Sequence, residues 1–151
     1  IIDNFAAYTQ PSFGAIKPAL TRLEKENFIR SRKAMSDGGK LSGFYSITSE
    51  GQEELKKLLL ERISNNPLQF NSVSRIKLSC ASYLAKDERA EIFSQIKIKA
   101  QDHKYSAEKT LENESNSLSF YQKIILDNAI CEYKNFISII EGLEKENGRN
   151  S

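Results

Sequence analysis

The sequence predicts a mainly α-helical protein: a winged helix-turn-helix with a small β-hairpin wing, followed by a C-terminal helical dimerisation domain. Three observations carry that expectation. Up to Asn66 the hydrophobic pattern runs helix, helix, hairpin, helix. Beyond Asn65-Asn66-Pro67 it is helical throughout, with no strand. The last helix is apolar over much of its circumference and must be covered from more than one side.

In the N-terminal part, Ile1 to Phe5 pattern as the tail of a helix whose beginning lies upstream, and a turn follows through Tyr8 to Ser12. Ile16, Leu20 and Leu23 fall at i, i+4 and i+7 and share one face of a helix ending near Asn27. Pro18 has no N–H for the carbonyl four residues earlier, so this helix is expected to begin close to Gly14. Phe28 to Arg32 and Gly43 to Ile47 alternate loosely around Ser36-Asp37-Gly38-Gly39, which predicts two short antiparallel strands and a turn bearing Lys40. The turn is not a phosphate loop: Ala34 stands where a Walker A sequence needs its first Gly, and Leu41 where it needs Ser or Thr. Thr48 then caps a helix from Ser49 to about Ser64. Glu50, Glu53 and Glu54 lie near its positive end, with Leu55, Leu58 and Leu59 as its buried stripe.

Pro67 biases Asn66 away from helical geometry, which sets the expected domain boundary: residues 1–66, then 67–151. Three helices are expected beyond it, Ser72 to Ala85, Asp87 to Asn113 and Ser117 to Asn147. Phe93, Ile96, Ala100, His103, Ala107 and Leu111 form the apolar stripe of the middle one. In the last, Leu126, Ile130, Tyr133, Ile137, Ile140 and Leu143 make one stripe, which Tyr121, Ile125, Phe136 and Ile139 widen. Three helices alone cannot easily cover that width, so a homodimer about a two-fold axis is expected, with Tyr121, Ile125, Leu126, Ile130, Tyr133, Ile137 and Ile140 as its interface. Glu144 to Ser151 are expected to fray.

The formal charge is +2, but it is unevenly spread. Between Gly14 and Lys40 there are seven bases and three acids, whereas residues 64–151 carry 12 of each. A local excess of this kind points to an anionic partner for the N-terminal part. Cys80 and Cys131 fit no disulfide framework or metal-ligand spacing, which predicts buried thiols in a reducing compartment. No apolar run is long enough for a membrane span, and the start does not pattern as a signal peptide, so a cytoplasmic protein is expected. His103, the single histidine, is expected to be packed and hydrogen-bonded, because one imidazole cannot assemble a usual metal site. No paired catalytic groups or cofactor fingerprint appear, which argues against an enzyme and against a cofactor or metal. The aromatic residues at helical spacing, Tyr83, Tyr105, Phe120 and Phe136 among them, are assigned to core or interface before ligand pocket. Richness in Lys, Asn, Ile and Ser hints at an AT-rich bacterial genome.

With Ile16, Leu20 and Leu23 facing inward, the far side of the second helix presents Gly14, Lys17, Pro18, Thr21 and Lys25, a small and basic face of suitable width for a major groove. Lys17, Lys25 and Lys40 are placed to contact phosphates, while Ser12, Ala15 and Thr21 are placed to select bases. Ser12 stands at the helix start, where a hydroxyl and free N–H groups can also meet a phosphate.

The stretch Ser12-Phe13-Gly14-Ala15-Ile16-Lys17-Pro18-Ala19-Leu20-Thr21-Arg22-Leu23-Glu24-Lys25-Glu26-Asn27-Phe28-Ile29, with Gly43-Phe44-Tyr45-Ser46-Ile47-Thr48-Ser49-Glu50-Gly51 after it, resembles the PadR family of transcriptional regulators. Phe120 to Asp127 is similar to the opening of that family's dimerising helix. Lys17 stands where the family has an aromatic residue before the Pro, and Asn27 where it has a turn glycine. The resemblance implies a dimeric repressor that binds an inverted-repeat promoter operator in double-stranded DNA, with a small-molecule or protein effector acting through the C-terminal domain. It also implies that the family's first helix is missing from this sequence. The rival expectation is a winged helix used for protein–protein contacts without DNA.

Overall fold

A computed structural model describes residues 12–35 and 41–149, in two compact units, Ile1–Leu59 and Leu60–Ser151. The helix tail expected at Ile1 to Phe5, the turn after it and the turn bearing Lys40 lie outside the described residues. The first unit holds α1 (Phe13–Lys25), β1 (Ile29–Met35), β2 (Leu41–Ile47) and α2 (Ser49–Leu60), the last ending at the unit boundary. The second holds α3 (Pro67–Ser79), one 3-10 turn (Ala81–Tyr83), α4 (Lys86–Asn113) and α5 (Phe120–Arg149). The chain is therefore mainly helical with one small hairpin, as expected. No helix among the described residues is long and apolar enough to cross a membrane.

α1 starts on a side-chain cap: Ser12 is extended, at φ −64° and ψ 148°, and its Oγ accepts from the Ala15 N–H at 3.2 Å. Pro18 lies inside the helix. It falls close enough to the start to remove a single ladder bond, so the helix continues to Lys25. At the other end the Asn27 N–H donates to the Glu24 carbonyl at 3.1 Å and the Phe28 N–H to the Leu23 carbonyl at 2.9 Å. That pair of bonds is a Schellman cap. It requires a left-handed residue, which Asn27 supplies at φ 59°. Asparagine is among the few residues besides glycine that enter this region readily, which is why it can replace the turn glycine.

β1 and β2 pair antiparallel from Ile29 opposite Ile47 to Met35 opposite Leu41. Thr48 then ties three segments together. Its N–H donates to the Phe28 carbonyl at 3.0 Å, its Oγ1 donates to the Asn27 carbonyl at 2.7 Å, and the same oxygen accepts the Gly51 N–H at 3.0 Å. The cap of α2 is thereby bonded to the end of α1. Gly51 permits the approach, since a Cβ there would stand 2.0 Å from the Phe28 carbonyl oxygen. α2 stops at Leu60, short of the expected Ser64. Leu59 is buried and Leu58 half-exposed, so the expected stripe is narrower.

The second unit corrects three expected boundaries. Pro67 opens α3 five residues before Ser72: Asn66 is extended and its Oδ1 accepts the Leu68 N–H at 2.9 Å. A proline at the first helical position loses no bond, because that N–H has no intrahelical partner anyway. At the far end the helix stops at Ser79 rather than reaching Ala85. Ala85 must be extended for its N–H to donate to Glu88 Oε2 at 2.9 Å and start α4. α5 begins three residues after Ser117 for a similar reason. The Ser119 Oγ accepts the Gln122 N–H at 3.3 Å, and the Gln122 Oε1 accepts the Ser119 N–H at 2.8 Å, a reciprocal capping box.

α4 and α5 run antiparallel, as their pairings show. Arg89 Nε donates to Asn147 Oδ1 at 3.0 Å, Lys97 meets Glu144 at 2.9 Å, and the His103 and Tyr133 rings lie 5.5 Å apart. Asn147 Nδ2 also donates to the Lys86 carbonyl at 3.0 Å, and this clasp keeps α5 helical through Arg149 where fraying was expected. The core is Ile92, Phe93, Ile96 and Ala100 of α4 against Ile130, Tyr133, Phe136 and Ile140 of α5, with Phe70 of α3. Lys77 is buried too. Its ammonium donates to the Glu61 carbonyl at 2.6 Å, and burial pushes its pKa down. The thiols depart from expectation: Cys80 is half-buried, with its pKa raised by burial, and Cys131 is exposed. At helical spacing among apolar residues, Cys131 falls on the outward side of α5.

Candidate nucleic-acid interface

Along α1 only Ile16, Leu20 and Leu23 are partly covered among the residues whose exposure is described, as their spacing predicts. Ala15, Lys17, Pro18, Thr21 and Lys25 are all exposed on the remaining circumference. Thr21 Oγ1 donates back to the Lys17 carbonyl at 3.0 Å, which holds the hydroxyl close to the helix with its oxygen still able to accept. Ser12 is exposed, but its oxygen is already engaged by the Ala15 N–H.

The single acid within this helix does not offset its outward cations. Glu24 turns towards the hairpin, where its Oε1 accepts from the Ser31 N–H at 3.3 Å and from the Ser31 hydroxyl. Its charge is thus engaged at the base of the wing, while Lys17, Arg22 and Lys25 form no ion pair with any described residue. The outward face of α1 keeps a net positive character. Lys40 lies outside the described residues.

The strands add cations that the expected site omitted. Arg30 and Arg32 are two residues apart on β1, hence on one face of the hairpin, and both are exposed. Arg32 lies opposite Phe44 in the register, and its guanidinium sits 5.7 Å from the centre of that ring. The contact holds a flexible cation near the strand. The signal was present in the sequence as basic residues at a spacing of two, within the window of excess charge.

The residues expected at a subunit interface divide into two groups. Ile130, Tyr133 and Ile140 are buried within the chain's own second unit, and Leu126 and Ile137 are half-buried. Tyr121 is 78% exposed and Ile125 68% exposed. Phe120 and Ile124 beside them, and Ile139 further along the helix, are also exposed and were not among the expected interface residues. They lie on the width of α5 that its own unit leaves uncovered.

Comparison with known proteins bears on the same region. Residues 1–57 match the family model described as the transcriptional regulator PadR-like family. Among solved structures, the chain is similar to the PadR-like transcriptional regulator BC1756 from Bacillus cereus, at 20% identity and a TM-score of 0.50, covering 99% of this chain and 86% of that one. It also matches smu.1604c from Streptococcus mutans UA159, at 21% identity and a TM-score of 0.44, covering 91% and 81%. PadR of Bacillus subtilis in complex with operator DNA matches at 19% identity and a TM-score of 0.43, covering 95% and 83%. No curated protein sequence matches significantly. At these identities the Bacillus cereus structure speaks for a shared fold.

Proposed function

We propose that this chain, whose residues 1–57 match the PadR-like transcriptional regulator family model, is a dimeric, sequence-specific DNA-binding repressor. Residues 1–66 form the DNA-binding domain and residues 67–151 the dimerisation and effector domain. The observation that carries this reading is the outward face of α1. Lys17, Thr21 and Lys25 are exposed on one helix whose apolar residues turn the other way and whose Glu24 is engaged elsewhere. α1 enters the major groove. Lys17 and Lys25, with Lys40 on the wing, contact phosphates, and Ser12, Ala15 and Thr21 select bases.

The exposed strip of α5 at Tyr121 and Ile125 supports pairing with a second copy. A two-fold dimer presents two copies of α1, so the operator is an inverted repeat with half-sites about one DNA turn, or a multiple, apart. An effector acts through the second unit, in the cytoplasm. There an open cavity of about 870 Å³, lined by Arg62, Asn65, Glu91, Gln95 and Lys99 among others, offers it a place. Binding changes DNA affinity by favouring one of two states. The exposed Met35, Phe44 and Tyr45 of the hairpin favour the second reading, a winged helix used for protein contacts.

Selection of bound sequences from a random duplex pool separates the two. The regulator recovers an inverted repeat, and a pool that stays random removes sequence-specific binding.

A further inference from the structure

We propose that His103 of α4 is a pH-sensitive keystone of the second unit, an imidazole held between aromatic rings of α3 and α5 whose protonation loosens the packing of the three helices. The ring of Phe70 on α3 stands 5.2 Å from the imidazole, edge-on, and that of Tyr133 on α5 stands 5.5 Å away, tilted by 31°. Phe70 in turn packs edge-on against Tyr133 at 5.8 Å and Phe136 at 5.3 Å, so the imidazole is part of one continuous cluster at the heart of the unit. Nε2 is sealed from solvent and has no hydrogen-bond partner among the described residues, although a hydrogen-bonded histidine was expected. A neutral imidazole tolerates this site. An imidazolium would carry its charge and a second N–H into it.

The surrounding charges do not offset that cost. On its own helix Lys99 opposes protonation and Asp102 favours it, with Asp102 drawn to Lys99 at 3.9 Å. Between α3 and α5, Asn71 Nδ2 donates to Glu132 at 2.7 Å. Glu132 is also close enough to Tyr133 to act on its phenol, and it already accepts from Asn71. Desolvation is the largest influence on His103 and holds its pKa below the ordinary 6.5, with Lys99 adding to it. A folded-state pKa below the unfolded one means that the unit's stability is intact above about pH 6.5 and is lost as pH falls from there towards the folded value. The consequence for DNA rests on the function proposed above, because a loosened second unit no longer holds two copies of α1 in register.

Because His103 is the only histidine, its titration can be followed directly in the full chain by the proton NMR signal of its ring. The expected result is a midpoint below 6.5. In parallel, thermal melts at pH 7.5 and 5.5 are compared for the wild type, His103→Phe, which fills the cage, and His103→Gln, which cannot titrate. The wild type should lose about 3 °C more than either variant on acidification. Its retention on duplex DNA should fall about tenfold further than theirs. A midpoint at or above 6.5, or the same acid loss in all three proteins, overturns the proposal. Absence of DNA binding at pH 7.5 would instead remove the regulator reading, while the titration and the melts still decide the role of His103.

Discussion

Replacing Gly51 by Ala tests the joint between α1 and α2 more severely than any other single change. The added Cβ would lie 2.0 Å from the Phe28 carbonyl oxygen, 2.8 Å from its carbon and 2.9 Å from Ile47 Cγ1. Two of these are backbone atoms, which cannot swing aside, so the first turn of α2 must retreat. Retreat pulls the Gly51 N–H away from Thr48 Oγ1 and disturbs the bond that this oxygen makes to the Asn27 carbonyl. Overpacking at such a contact costs about 1–3 kcal/mol. Loss of a side-chain cap adds about 1 kcal/mol. A total of about 3 kcal/mol is therefore expected, a large share of the 5–15 kcal/mol that typically holds a domain together. Gly142→Ala is the control: a Cβ there meets nothing within 4 Å, and removing a mid-helix glycine should stabilise by about 0.5–1 kcal/mol. Urea denaturation followed by far-UV circular dichroism measures both. A Gly51→Ala protein within about 0.5 kcal/mol of wild type, the range of an ordinary surface change, would refute the described approach of α2 to Phe28.

Other outcomes follow from the same contacts. Asn27→Ala should cost about 1 kcal/mol, because alanine resists the left-handed conformation at φ 59°, while Asn27→Gly should be nearly neutral. Urea midpoints distinguish them, and equal effects would remove the conformational explanation. Ile140→Ala, at a fully buried position, should cost about 2–5 kcal/mol in the same assay. Ile125→Ser, at a 68% exposed position, should instead yield monomers by sedimentation with the helical signal retained. A dimer that survives this change does not use the outer strip of α5.

Much of the first unit was legible because its signals are local. The spacing of Ile16, Leu20 and Leu23 placed α1, and the hydroxyl of Thr48 announced the start of α2. What could not be read there was the joint, since nothing in the sequence says that Thr48 spans to the Asn27 carbonyl or that Gly51 is needed to meet Phe28. Pro67 was misplaced for a different reason. A proline both ends one helix and suits the first position of the next, and only the Asn66 cap decides between these uses. On α5, periodicity found the apolar residues but not their destinations: Ile130, Tyr133 and Ile140 are buried within the chain's own unit while Tyr121 and Ile125 remain outside. An apolar stripe looks the same whether the chain's own helices or a second copy will cover it. The candidate DNA face was legible as far as α1 carries it, whereas Arg30 and Arg32 were passed over because a wing was weighed by the turn and its Lys40 rather than by its strands.

The salt dependence of duplex DNA binding by the wild type and Lys17→Ala tests the central claim most directly, the claim that the outward side of α1 meets a nucleic-acid backbone. Affinity should fall linearly on logarithmic axes as salt rises, and removing one phosphate contact should make that slope shallower by about one. Binding that ignores salt, or a slope unchanged in Lys17→Ala, would contradict it.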